Sequence, residues 1–215
     1  MKLEKGSKLV MIGDSITDCG RNRPVGDGFN ALGSGYVAIV NAMLQSGYPE
    51  LGIRVINMGI SGNTVLDLKD RWYSDVLELK PDWLSIMIGI NDVWRQFDTP
   101  FQTEKHVDID TYERELRSLV RQMKPDLKGL VLMTPFYIEP NRDDAMRARM
   151  DAYGAVVKRI ADEEGTILVD TQAAFEPVLK HLYPAALCWD RVHPSMPGHM
   201  VLAKAFLRGI GYERD

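Results

Sequence analysis

Apolar residues along this 215-residue chain gather in five short runs, at 8–13, 53–57, 83–89, 129–133 and 166–170. Each has the length of a strand and little polar alternation, as expected where both faces of a strand are covered. Between the runs the apolar positions fall three and four apart, which predicts helices. The stretch 35–46 carries Val37, Ile39, Val40, Met43 and Leu44. The stretch 65–79 carries Leu66, Leu68, Trp72, Val76 and Leu79, and 111–123 carries Tyr112, Leu116, Leu119, Val120 and Met123. Longer patterns at 143–164 and 197–210 complete the series, and Lys80-Pro81 and Lys124-Pro125 punctuate two helix ends. Strands alternating with helices imply a parallel sheet covered on both faces, with right-handed crossovers. The expected fold is α/β: one domain over residues 1–215, a three-layer α/β/α sandwich with a five-stranded parallel sheet. The expected strand order is 2-1-3-4-5, as in flavodoxin-like folds.

The chemistry-bearing segments sit where such a sheet binds ligands. The first run ends in Gly13-Asp14-Ser15, so Ser15 is expected on the turn at the strand's C-terminal end. The loops after the second and third runs open on the same edge. They carry Gly59-Ile60-Ser61-Gly62-Asn63 and Gly89-Ile90-Asn91-Asp92. The late segment Asp190-Arg191-Val192-His193 precedes the last helix and reaches that edge too.

Together these residues make a hydrolytic set. A serine hydroxyl is a poor nucleophile until a base takes its proton. An imidazole does this, and later protonates the leaving oxygen, provided a carboxylate on its other nitrogen fixes the tautomer. Asp190 and His193 are three apart, so one turn brings carboxylate and imidazole side by side. A tetrahedral intermediate also needs donors aimed at its oxyanion. The N–H of Ser15, the N–H of Gly62 and the Asn91 amide supply three, with glycine at 62 expected to let the main chain approach the oxygen closely. Each block alone has a plainer reading. Ser15 is a helix cap, Gly59 and Gly62 are turn glycines, Asn91 is a turn residue and His193 lies on the surface. The plain readings leave unexplained why all four blocks fall on one sheet edge. His199 stands close to His193, but its setting Pro197-Gly198-His199 fits a helix start, so His193 is the expected base.

Composition narrows the setting. The net charge is -4 with no dense Lys/Arg cluster, which argues against a nucleic-acid or anionic-membrane partner. The polar N-terminus does not read as a secretory signal, and no stretch approaches the ~20 apolar residues of a membrane span. Cys19 and Cys188 flank two of the candidate segments, and neither has a C-x-x-C partner. They read as reduced thiols in a cytoplasmic protein.

The blocks Gly13-Asp14-Ser15-Ile16, Gly62, Asn91 and Asp190-x-x-His193 resemble those of the SGNH, or GDSL-type, hydrolases over nearly the whole chain. Ile16 stands where the family's short name has leucine. The longer stretches 12–20, 87–95 and 189–194 resemble a branch that includes bacterial intracellular acetylxylan esterases. The resemblance implies Ser15 as nucleophile, His193 as base and Asp190 as its orienter. It implies Ser15, Gly62 and Asn91 as the oxyanion hole, with neither metal nor organic cofactor. The implied substrate is a short acyl ester, most naturally an acetyl group on a xylo-oligosaccharide.

Asp14, Trp94, Arg95 and Trp189 are the candidate substrate contacts. The aromatic residues either wall an acyl pocket and stack on a sugar, or simply pack loops onto the core. A homo-oligomer is expected from the last helix and the Trp- and Met-bearing segments. Other specificities of the same family, thioesterase, lysophospholipase or general carboxylesterase, share the site and differ in its loops. Two further classes use fewer of these residues. A Mg²⁺-dependent phosphoryl-transfer enzyme would use Asp14 and Asp18, but leaves Asn91 and His193 idle and would be sensitive to EDTA. A phosphate- or flavin-binding module would place an anion beside Asp14, which repels it.

Overall fold

The computed structural model describes residues 1–28 and 30–214. Strand β1 (Lys8–Gly13) lies near the middle of the sheet, and its residues Leu9, Val10, Met11 and Ile12 are fully buried. Burying each such side chain is worth roughly 1.5–3 kcal/mol, which explains why the most continuous apolar run takes a central place. Parallel partners flank it: β3 (Arg54–Gly59) on one side and β4 (Trp83–Met87) on the other. Strands β5 (Gly129–Met133) and β6 (Ile167–Val169) extend the sheet beyond β4.

These five parallel strands keep the expected 2-1-3-4-5 order, but the sheet has six strands. The sixth, β2 (Gly26–Asp27), pairs antiparallel with the edge of β3. Two residues in a Gly- and Pro-rich loop carry no hydrophobic period, so the pattern could not announce them.

Helices cover both faces. On one, α2 (Tyr36–Gly47) packs on α9 (Met196–Gly209), which packs on α7 (Thr171–Leu179). On the other, α3 (Val65–Asp70), α5 (Ile109–Met123) and α6 (Ala145–Glu164) pack in series. Side-chain caps start several of them: Asp108 accepts from Thr111 N–H, Asp144 from Arg147 N–H and Asp170 from Ala173 N–H. Each such cap contributes about 1 kcal/mol.

Two local departures from the expected pattern shape the site. The region 65–79 is not one helix, because α3 stops at Asp70 and a wider turn follows in which Glu78 N–H donates to the carbonyl of Tyr73. At the break, the Arg71 guanidinium reaches back to the carbonyls of Gly13 (2.9 Å) and Met58 (2.7 Å) and to Asn63 Oδ1 (2.7 Å). Wide turns of this kind recur beside functional sites. Second, the segment after β4 is no loop. It is helix α4 (Ile90–Asp98), with Asn91 and Asp92 buried in its first turn.

Candidate active site

The nucleophile loop is built by close packing. Chain leaving β1 turns at Asp14, whose carboxylate caps the four-residue helix α1 (Ser15–Asp18) by accepting from Ile16 N–H at 3.0 Å. So short a helix does not stand alone. It is pressed onto the sheet: a Cβ on Gly59 would lie 2.2 Å from the backbone nitrogen of Asp18, and one on Gly13 would lie 2.4 Å from the Met87 carbonyl. Buried Asn57 ties it down, donating to the carbonyls of Thr17 (2.6 Å) and Leu32 (2.8 Å) while accepting from Gly59 N–H (2.9 Å). Asp18 links α1 to the next loop through the N–H and hydroxyl of Ser61. Ser15, the first helical residue, is thus held at the edge with its hydroxyl outward.

The far end of the chain meets it there. Ser15 Oγ lies 2.9 Å from His193 Nε2, and His193 Nδ1 lies 2.6 Å from Asp190 Oδ2. With the proton on Nδ1 facing the carboxylate, Nε2 is free to accept from the serine. The other oxygen of Asp190 accepts from the N–H groups of Val192 (3.0 Å) and His193 (2.7 Å) and from the Cys188 thiol (3.2 Å). Burial opposes ionisation of Asp190, but the His193 ring and these donors outweigh it and hold the carboxyl at about 2. The Trp94 ring stands edge-on to the imidazole, centroids 5.7 Å apart.

The three expected oxyanion donors follow the C-terminal ends of β1, β3 and β4. The N–H groups of Ser15 and Gly62 have no acceptor among the described residues. Gly62 adopts φ +84, and a Cβ there would meet open space. The left-handed backbone favours glycine here, and none of the described residues fills the space beside it. The Asn91 amide donates one hydrogen to the Asn63 carbonyl at 3.0 Å and keeps its second free.

The other expected site residues fall differently. Asp14 is 1% exposed and serves α1 from below, so its carboxylate does not line substrate space. Burial pushes that carboxyl up to about 7, against the Ile16 N–H and the positive pull of His193 and Arg71. Trp94 is half-buried against the core, whereas Trp189 stands 89% exposed beside Asp190. Arg95 reaches Asn91 Oδ1 at 3.1 Å. His199 is buried. It accepts from Tyr36 N–H on Nδ1 at 3.2 Å, which leaves its proton on Nε2, 3.2 Å from Cys19 Sγ. Burial lowers that imidazole to about 4 and raises the Cys19 thiol to about 11. Both cysteines are free.

Sequence reasoning gave no loop-assembling role to the polar residues that perform it: Arg71, Asn57, Asp18 and Asp92. Burial pushes the Asp92 carboxyl up to about 7, even though its Oδ1 accepts from Val65 N–H at 3.0 Å. Asn57 carried one signal, an amide closing a strand-length apolar run.

A three-layer α/β/α fold that brings serine, histidine and aspartate into a hydrogen-bonded relay at the edge of its parallel sheet defines a serine hydrolase. The chain belongs to the GDSL-like lipase/acylhydrolase family, whose model matches residues 11–201. It is 68% identical over 214 residues to an acetylxylan esterase of Geobacillus stearothermophilus, covering 99% of this chain and 98% of that one. The crystal structure of that organism's acetylxylan esterase Axe2 superposes with a TM-score of 0.98, at 68% identity and the same coverage. LAE5, an α/β hydrolase from the metagenome of Lake Arreo in Spain, superposes equally well at 54% identity, with both chains fully covered.

Proposed function

We propose that this enzyme removes acetyl groups from short acetylated xylo-oligosaccharides through an acyl-enzyme on Ser15. The observation that carries the reading is the unbroken relay Ser15–His193–Asp190, with spacings of 2.9 and 2.6 Å, in a chain so similar to an acetylxylan esterase. Ser15 Oγ attacks the acetyl carbonyl as His193 Nε2 takes its proton. The oxyanion is received by the N–H groups of Ser15 and Gly62 and by the Asn91 amide. Collapse breaks the bond to the sugar oxygen, which leaves with the proton from His193. Water, deprotonated by the same imidazole, then attacks the acetyl-serine and releases acetate and free Ser15. Asp190 stays ionised throughout and stabilises the imidazolium.

An open site suits a sugar ester. The side chains of His193 and Asp190 are 45% and 37% exposed, and the exposed Trp189 ring offers a stacking face beside them. Cleavage of oligosaccharides rather than polymer fits a cytoplasmic setting, and no described helix is long and apolar enough to cross a membrane. The test is acetate release from acetylated xylo-oligosaccharides, compared with p-nitrophenyl esters of increasing chain length. Activity on the acetylated sugars that disappears in Ser15→Ala, with a steep decline beyond butyrate, supports the reading. A maximum at octanoate or longer overturns the short-acyl specificity.

A further inference from the structure

We infer that Arg95 is a positioning residue of the oxyanion hole, one that holds the Asn91 amide with its nitrogen toward the reacting carbonyl; the inference rests on the function proposed above. A primary amide is a useful donor in one of its two orientations. Flipped by half a turn, it would present a carbonyl oxygen to a developing oxyanion and repel it. Two partners set the orientation here. The Asn63 carbonyl takes one hydrogen of Nδ2 at 3.0 Å, and Arg95 Nη2 donates to Oδ1 at 3.1 Å. A flipped amide would set its oxygen against the Asn63 carbonyl and its N–H₂ against a guanidinium, so it loses both bonds and gains two repulsions.

Arg95 is built for this task. It lies four residues after Asn91 on α4, hence on the same helix face. Its Nη1 pairs with Asp98, one turn further on, and its Cζ stands 4.9 Å from the centroid of the Trp94 ring. The guanidinium is therefore fixed on two sides before it meets the amide, and its side chain is only 27% exposed. Both terminal nitrogens face protein, which argues against a direct contact with sugar. The Trp94 ring that carries the guanidinium on its face also packs edge-on against His193. One side-chain stack thus borders both the oxyanion donor and the base.

An effect routed through the oxyanion donor is felt in the transition state and hardly in the bound ester. Arg95→Met, which keeps the aliphatic stem and removes the donors, should lower kcat on p-nitrophenyl acetate about tenfold and move KM less than about twofold. Arg95→Lys should recover part of the loss. The decisive readout is a double-mutant cycle. In the Asn91→Ala background, Arg95→Met should cost less than about twofold, because no amide remains to orient. If the two losses multiply in full, or if Arg95→Met raises KM and spares kcat, the assignment is overturned and Arg95 contacts substrate. Measuring Ser15→Ala in parallel separates the levels: turnover surviving there removes the hydrolytic reading itself, and this inference with it. Unfolding curves for each variant distinguish lost positioning from lost fold.

Discussion

Asp92 offers a sharp test of the site's electrostatics. Its side chain is wholly buried, Oδ1 accepts from Val65 N–H at 3.0 Å, and Oδ2 has no hydrogen-bond partner among the described residues. Burial lifts the carboxyl from 3.8 to about 7. Between these values the folded protein keeps a proton that the unfolded chain has released, so stability falls as pH rises across this window. A shift of about three units at 1.36 kcal/mol each amounts to roughly 4 kcal/mol, fully lost above pH 7. Asp92→Asn retains the acceptor for Val65 N–H and cannot ionise. Its stability relative to wild type should therefore climb by up to about 4 kcal/mol between pH 4 and pH 8 and then level off. Urea unfolding of both proteins at several pH values, at constant ionic strength, measures the difference directly. A difference that stays flat, or one that turns against the variant as pH rises, would show that Asp92 is ionised in the fold and would refute the reasoning.

Other outcomes follow from the same geometry. Ser15→Ala should reduce kcat on p-nitrophenyl acetate by about 10⁶, and Asp190→Ala by about 10⁴, since orienting the base is only part of its work; equal losses would contradict this division. Gly62→Ala forces a Cβ onto a left-handed backbone, at a cost of about 1–2 kcal/mol in a thermal melt. If the chain relaxes to relieve it, the N–H turns away and kcat falls while KM holds. His199 has the opposite sign to Asp92: its imidazole is lowered from 6.5 to about 4, so the unfolded chain binds a proton the native state refuses. This group costs stability progressively as pH falls from 6.5 to 4, up to about 3 kcal/mol, and His199→Gln should flatten that part of the acid unfolding profile.

The three central strands were legible because they are apolar on both faces. The runs at 8–13 and 129–133 end where β1 and β5 end, and 83–89 overshoots β4 by only two residues. Helix α4 went unread for an equally physical reason. Asn91 and Asp92 are poor helix formers that usually mark turns, and what pays for their burial is a carbonyl and an N–H from the neighbouring Asn63–Val65 segment. A one-dimensional pattern contains no record of that neighbour. The break after Asp70 is similar: the 3.6-residue period runs straight through Arg71, whose partners Gly13 and Met58 come from two other strands.

What the sequence by itself determined was the order of the five parallel strands, the sheet edge at which Ser15 and His193 meet, and the chemistry such residues can perform. Those are consequences of local periodicity and of the side chains themselves. Only the tertiary structure decided that Asp14 turns inward to cap a helix, that His199 is buried between Tyr36 and Cys19, and that Arg95 bonds the Asn91 amide. A hydrogen bond is made or lost within half an ångström, and that precision arises where packed loops from distant parts of the chain converge.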